Sequence, residues 1–192
     1  KLLKNKCKVL AIEPLPQNCK LLLASKIENN LNSIKIIQAA ADFHTGIKGF
    51  GSSGSNGICT ELLNDIDLIL KSDTVNSVNL DKIINERIDL IKIDIEGSEY
   101  LALKGASKII KESKPVIFSE FAPRALSKIS RVSWKEYLNF IINLGYNISV
   151  VEDGLIECEK NIEKVYNIYK DRQVDHLDLI LERDNSIKNL SK

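Results

Sequence analysis

Four carboxylates of this chain directly follow or end short apolar runs that have the length of buried strands: Glu13, Asp42, Asp94 and Glu120. Ligands of open α/β sheets bind at the edge where the carboxyl ends of parallel strands meet, so we expect these acids to line one pocket. A carboxylate there can accept hydrogen bonds from ligand hydroxyls or take a proton from one of them. The pattern therefore predicts ligand binding and acid–base chemistry at one sheet edge.

The most informative run is Ile88–Ala106, in which a strand-like pattern ends in acids and a glycine and then becomes helix-like. In an extended strand, alternation would place Lys92, Asp94 and Glu96 on one face. Two interpretations stay open for this face. Asp94 or Glu96 accepts a proton from a substrate hydroxyl while Lys92 tunes their charge, or the acids form an ion-paired strand end that caps the next helix.

Strands alternate with helices along the chain, which predicts an α/β fold with a mostly parallel sheet, helices on both faces and an antiparallel last strand. Helices are predicted at Pro16–Glu28, at 59–71, from Asp81, from Ser98 to Pro115 and from the capping box at Ser133–Glu136 to Gly145. Strands are predicted at Lys8–Glu13, Ile34–Ala41, Thr74–Leu80, from Ile88, and at Val116–Glu120, Asn147–Val151 and Val174–Leu181. The stretch Ile156–Arg172 is polar and weakly periodic, which argues against a strong helix there.

A stretch rich in Gly, Ser and Asn, Gly46–Gly57, predicts a mobile loop or a loosely paired hairpin. It contains a G-x-G-x-x-G match at Gly49–Gly54, but no good helix opens after it as a dinucleotide fingerprint requires. We interpret it as a flexible lid or surface loop. His176 falls within the last predicted strand, which favours a structural role for its ring.

The composition excludes several functional classes. The 192 residues include 27 basic and 26 acidic side chains with a net charge of +1 and no long block of one sign, so no nucleic-acid partner is expected. A small-molecule or glycan partner fits better. The four cysteines lack metal or redox spacing, which predicts no metal site and reduced thiols in a cytoplasmic protein. No apolar run reaches the ~18–20 residues that a membrane span needs.

The length predicts one domain over residues 1–183, followed by a polar tail at 184–192. The chain contains no methionine and begins at Lys1, so we expect it to be the later part of a longer polypeptide. Its composition does not determine an oligomeric state.

The run Ile88–Ala106 closely resembles the signature of the FkbM-like S-adenosylmethionine-dependent methyltransferases. Val9–Asn18 resembles the second strand of that family with its Glu-Pro exit, and Gln38–Asp42 resembles the third. Val78–Asp81 matches the pattern that precedes the signature strand. Together these segments cover about residues 8 to 121 in the family's order.

This resemblance implies a Rossmann-like methyltransferase fold that binds S-adenosylmethionine. It implies that Glu13 binds the cofactor's ribose and that Ala41 and Asp42 lie near the adenine. Asp42 is offset by about one position from the family's usual acid, where Phe43 stands. The family's first strand and glycine-rich turn should precede Lys8 and are not in this chain, so part of the cofactor site and a central strand would be missing.

The resemblance also implies that Asp94 and Glu96 face the methyl-transfer site, with Glu120 as a further candidate. The implied reaction is O-methylation of a hydroxyl, often on a sugar or a secondary metabolite. Such a transfer needs alignment and removal of the acceptor proton more than it needs a metal. The alternative is a non-catalytic binding or assembly module that keeps the Rossmann-like sheet. A nicotinamide enzyme would rest on the G-x-G-x-x-G match alone.

Overall fold

The computed structural model describes residues 7–53, 56–60, 70 and 73–183, and every structural statement below concerns these residues. The chain divides into two compact units, Lys1–Asn79 and Leu80–Lys192. The single domain expected over residues 1–183 stays a prediction. The polar tail at 184–192 lies outside the described residues, as does most of the helix predicted at 59–71.

The first unit begins with a parallel strand–helix–strand element, as the sequence predicts. It consists of β1 (Val9–Ile12), α1 (Pro16–Glu28) and β2 (Ile34–Ile37), and β1 pairs with β2 in parallel. Pro16 occupies the first helical position, where its fixed φ suits the helix and its missing N–H costs no hydrogen bond. Asn30, just after the helix, takes a left-handed conformation that returns the chain toward β2.

The rest of the first unit is a four-stranded sheet in the order β3-β6-β4-β5. Its strands are β3 (Ala40–Ala41), β4 (Gly46–Ser53), β5 (Asn56–Thr60) and β6 (Asp73–Val78). Only β3 and β6 are parallel, and the β4 pairings with β5 and β6 are antiparallel. The core of this sheet comprises Ala40, Phe50 and Val75, with Leu15 packed against them.

Three predictions for this unit differ from the structure. The strand predicted over Ile34–Ala41 is divided, because its first half pairs with β1 while Ala40 and Ala41 pair with β6. For the glycine-rich stretch the paired hairpin is confirmed and the flexible lid is wrong, since β4 bonds to strands on both sides and buries Phe50. Residues 59 and 60, predicted to begin a helix, end strand β5.

The second unit contains a five-stranded sheet in the order β10-β9-β11-β8-β7. Its strands are β7 (Leu90–Ile93), β8 (Val116–Phe121), β9 (Asn147–Val151), β10 (Leu155–Glu159) and β11 (Leu177–Glu182). Strands β7 and β8 are parallel, and every other pairing is antiparallel. The antiparallel last strand is confirmed, but a mostly parallel sheet is wrong for the described residues.

The fold is therefore a mixed α/β fold. The difference arises at β9 and β10, which a short turn joins into a hairpin, and a turn of that length connects only antiparallel strands. Strand β10 is not among the predicted strands, although Ile156–Glu159 alternates apolar and polar residues as a half-buried strand does. The placement of helices on both sheet faces stays a prediction.

Six helices accompany this sheet in the described part of the second unit: α2 (Leu80–Ile83), α3 (Glu99–Lys104), α4 (Ser107–Ser113), α5 (Pro123–Ile129), α6 (Trp134–Asn143) and α7 (Ile162–Arg172). The helix predicted from Ser98 to Pro115 is interrupted between α3 and α4. The carboxylate of Asp81 accepts the backbone N–H groups of Lys108 and Ile109, both at 2.9 Å, and so caps α4.

The last two helices show what local signals can and cannot predict. The capping box is confirmed, because Ser133 Oγ accepts from Glu136 N at 3.2 Å and Glu136 Oε2 accepts from Ser133 N at 2.8 Å. Helix α7 was not expected. Asn161 caps it and Val165 and Tyr169 are its buried residues, so two core contacts suffice in a polar helix. Within the described residues, no helix is long and apolar enough to cross a membrane.

Candidate functional site

A tight turn follows β7 and carries two of the predicted catalytic acids. Strand β7 ends at Ile93, Glu96 has a left-handed φ of 57° and Gly97 follows with a φ of 95°. A Cβ at Gly97 would lie 2.5 Å from the carbonyl carbon of Ala125, so the turn passes directly against α5. Ser130 Oγ donates to Gly97 O at 2.6 Å. The extended alternation expected through Glu96 is therefore wrong, because the chain leaves the strand three residues earlier.

Glu99 holds this turn from inside the fold. Its side chain is completely buried, and Oε1 accepts the backbone N–H groups of Ile95 at 2.8 Å and Gly97 at 3.3 Å. Its other oxygen, Oε2, is buried and has no hydrogen-bond partner in the described part of the chain. Burial raises the pKa of Glu99, and the nearby charge of Asp94 raises it further. In the sequence Glu99 marks a helix start, and no pattern there indicates this contact with the turn.

Glu120 lies on β8 next to the end of the parallel pairing with β7, in which Ile93 lies opposite Ser119. Its side chain is 13% exposed. Oε1 lies 3.4 Å from Nδ1 of His176, and Oε2 is buried without a hydrogen-bond partner among the described residues. One carboxylate oxygen is thus in contact with His176, while the other is buried without a partner among the described residues.

The electrostatic surroundings of Glu120 favour a proton on its carboxyl group. Burial raises its pKa to about 7, and the negative charges of Glu99, Asp94 and Glu96 act in the same direction. The charge of His176 acts in the opposite direction. We call Asp94, Glu96, Glu99 and Glu120 the acidic cluster. The structure therefore brings the three predicted catalytic acids within electrostatic reach of one another.

Asp94 differs from Glu120 in being solvated. Its Oδ2 accepts a hydrogen bond from Lys92 Nζ at 3.2 Å, and both side chains are more than half exposed. The ion pair that one of the two sequence interpretations predicted at this strand end is thus present between Lys92 and Asp94. An exposed pair contributes only about 0–1 kcal/mol to stability. The catalytic roles of Asp94 and Glu96 stay predictions.

Buried aromatic side chains support the carboxyl end of β8. Tyr137 Oη and Ser119 Oγ lie 2.5 Å apart, and both residues are buried. The ring of Phe121 is stacked on Tyr137 and makes an edge contact with Tyr169. Burial raises the pKa of the Tyr137 hydroxyl, so it stays protonated and can keep this hydrogen bond at neutral pH. The backbone that carries Glu120 therefore rests on a packed layer.

The raised pKa of Glu120 predicts a pH-dependent penalty on stability. Between about pH 4.5 and 7 the unfolded chain releases this proton before the folded one does, so stability falls as the pH rises. At pH 8, Glu120→Gln should raise the free energy of unfolding by about 1–3 kcal/mol. This range is the free energy equivalent to the pKa difference, reduced because solvent partly screens the group. At pH 4 the two proteins should be about equally stable.

Urea denaturation at both pH values measures this difference. Glu157→Gln on β10 is the matched control, because it makes the same change of side chain at an exposed position of the same sheet. A Glu120→Gln protein that is less stable than the parent at pH 8 would contradict the burial argument.

The residues predicted to bind the cofactor lie in the first unit. Glu13 directly follows β1, and its Oε1 accepts the backbone N–H of Leu15 at 2.7 Å. Ala41 ends β3. Asp42 is buried, forms an ion pair with the buried Lys48, and accepts the N–H of His44 at 2.9 Å. Both oxygens of Asp42 thus have partners within the chain, and the cofactor roles of the three residues stay predictions.

The described residues contain no group of three or more His, Cys, Asp or Glu side chains that could hold a metal ion. His176, to which the sequence analysis gave a structural role inside the last strand, instead precedes β11 and faces Glu120. A lone histidine before a strand carries no signal of such a contact in the sequence.

Comparisons with known proteins agree with this architecture. A family model described as the methyltransferase FkbM domain matches residues 1–148. No curated protein matches the chain. The chain is similar to the crystal structure of a methyltransferase FkbM from Methylobacillus flagellatus KT, with a TM-score of 0.56 and 20% sequence identity. The match covers 91% of this chain and 36% of that one, so this chain spans about a third of that protein's length.

Proposed function

This chain belongs to the FkbM methyltransferase family, and we propose that it methylates a hydroxyl group of a sugar or secondary metabolite with S-adenosylmethionine as the methyl donor. The observation that supports the hydroxyl as acceptor is Glu120, a carboxylate with one buried oxygen that has no partner among the described residues. A hydroxyl is a weak nucleophile until its proton is removed. Glu120 is the group in the acidic cluster best suited to remove it.

Two features of the chain fit the proposed cofactor. Glu13 follows β1 directly and retains the carboxylate that a ribose diol needs as an acceptor. The acidic cluster carries negative charge that favours a sulfonium cation. When bound, the cofactor supplies an electrophilic methyl group, which leaves sulfur as the acceptor oxygen forms its new bond to carbon.

The residues of the chain handle the proton that this reaction releases. Glu120 is poised because its pKa of about 7 lies near neutral pH, where a base combines an adequate carboxylate fraction with useful basicity. The proton of the acceptor hydroxyl passes to Oε2 of Glu120 while Oε1 remains with His176. Glu99 keeps the Asp94–Gly97 turn in place beside it.

Cofactor binding tests this proposal. Isothermal titration calorimetry should detect binding of both S-adenosylmethionine and S-adenosylhomocysteine to the protein. Glu13→Gln should weaken binding by about 10- to 100-fold, because a hydrogen bond to a charged acceptor is worth about 1.5–3 kcal/mol. Glu28→Gln at the end of α1 is the matched control and should bind like the parent protein.

Methyl transfer to a panel of monosaccharides, oligosaccharides and hydroxylated aromatics, followed with a labelled methyl group, then tests the acceptor class. Binding of neither cofactor form would contradict the proposal and favour a non-catalytic binding or assembly module. Methylation of amines but not of hydroxyls would contradict the acceptor class while leaving methyl transfer intact.

A further inference from the structure

His176 is positioned by the sheet rather than by a flexible loop. It directly precedes β11, in which Leu177 lies opposite Phe121 and Asp178 lies opposite Glu120. Leu177 is buried, so the register at this point is fixed by the core. The imidazole is 52% exposed while the carboxylate of Glu120 is 13% exposed. The pair therefore joins a solvated ring to a shielded carboxylate.

We propose that His176 is a positioning residue for methyl transfer, which donates its Nδ1–H to Oε1 of Glu120 and thereby leaves Oε2 directed to the acceptor hydroxyl. This inference rests on the proposed function of Glu120 as the base. The carboxylate can only accept, so this hydrogen bond requires a proton on Nδ1 of the ring. The 3.4 Å separation is that of a loose contact, which can tighten once the acceptor hydroxyl fixes the other oxygen.

His176 also affects the protonation of Glu120, because negative charges surround this carboxylate. The negative charges that act on Glu120 are those of Asp94 and Glu96 in the turn after β7 and of Glu99 on α3. Asp178 on β11 is the register partner of Glu120. Tyr137 of α6 contributes a neutral hydroxyl, and Lys92 offsets Asp94. The acids favour protonated Glu120, which cannot act as a base. A charged His176 opposes them and keeps the carboxylate populated.

Two substitutions separate these effects. His176→Ala removes both the donor and the charge, and His176→Gln keeps an N–H donor while it removes the charge. We expect His176→Ala to lower kcat by about 10-fold at every pH, as misplacement of a general base does. We expect His176→Gln to recover most of kcat at high pH, while the acid limb of its kcat/KM profile moves up by about half a pH unit.

A measurement without substrate tests the contact between His176 and Glu120 separately from the proposed function. The ¹³C resonance of the Glu120 carboxyl group, assigned by its loss in Glu120→Gln, reports the titration of this group in the absence of cofactor and acceptor. Its midpoint should move up by about half a pH unit in both His176 variants. Lys135→Gln is the matched loss of positive charge, because Lys135 pairs with Glu163 at 2.9 Å, and it should move neither the midpoint nor the rate.

The outcomes of these experiments distinguish the positioning role of His176 from the proposed methyltransferase function. An unchanged Glu120 midpoint together with a parent-like kcat in His176→Ala would overturn the positioning role. A moved midpoint in a protein that transfers no methyl group would support the His176 contact and contradict the proposed function. Equal losses of rate in His176→Ala and His176→Gln at all pH values would indicate a purely structural role and would also overturn the inference.

Discussion

Glu120→Gln is expected to lower kcat for methyl transfer by about 10²- to 10⁴-fold, the range that loss of a general base produces. Glutamine occupies nearly the same volume and retains an acceptor oxygen, so the fold and the packing under β8 should persist. It cannot accept a proton. The loss should therefore appear in kcat, while cofactor affinity measured by calorimetry stays close to that of the parent protein.

The pH profile provides the sharper readout of the same substitution. In the parent protein kcat/KM should rise as the pH passes through about 7, because the carboxylate form of Glu120 then becomes the major one. The residual rate of Glu120→Gln should lack this limb. Glu157→Gln should retain both the rate and the limb. A Glu120→Gln protein with the parent's rate would remove Glu120 from the mechanism and return Asp94 and Glu96 as the candidates.

Gly97→Ala is expected to destabilise the second unit by about 3 kcal/mol or more. The backbone at Gly97 has a φ of 95°, a conformation that side-chain-bearing residues rarely adopt and that costs about 1–3 kcal/mol. The added Cβ would also lie 2.5 Å and 2.6 Å from the carbonyl carbon and oxygen of Ala125. These are backbone atoms, so relief requires α5 or the turn to move, at a cost of about 1–3 kcal/mol.

Urea denaturation followed by the fluorescence of Trp134, the single tryptophan, measures this loss. Gly154→Ala is the matched control in the same unit, because a Cβ there would meet nothing within 4 Å. Its stability should change by less than about 0.5 kcal/mol. A Gly97→Ala protein as stable as Gly154→Ala would show that the turn beside the acidic cluster relaxes freely, which would contradict its role as a rigid support.

Local patterns in the sequence predicted much of the secondary structure. Pro16 and the apolar spacing after it predicted α1, and Ser133 with Glu136 predicted the start of α6, because capping and helical periodicity act within a few residues. The acids after β1 and β7 and on β8 were also located correctly relative to their strands. The convergence of Glu13 and Asp42 with the acidic cluster stays a prediction, since the two units are described separately.

Long-range pairing explains the predictions that failed. The division of Ile34–Ala41 between two sheets depends on which partner strand bonds to each half, and no residue in that run encodes the choice. Strand β4 (Gly46–Ser53) pairs on one side with β6, whose partner residues follow more than twenty positions later in the chain. Helix α7 depends on a core that its own polar sequence does not reveal.

The sequence alone determined the family, the succession of most elements and the carboxylates available for chemistry, because residue type and short-range spacing carry that information. Tertiary structure decided which carboxylate has a raised pKa and a histidine neighbour. Glu120 acquires its raised pKa from burial and from the charges of Glu99, Asp94 and Glu96, and it meets His176 through the β8–β11 register. Dielectric environment and through-space contact depend on segments distant in the chain, so they arise only when the chain has folded.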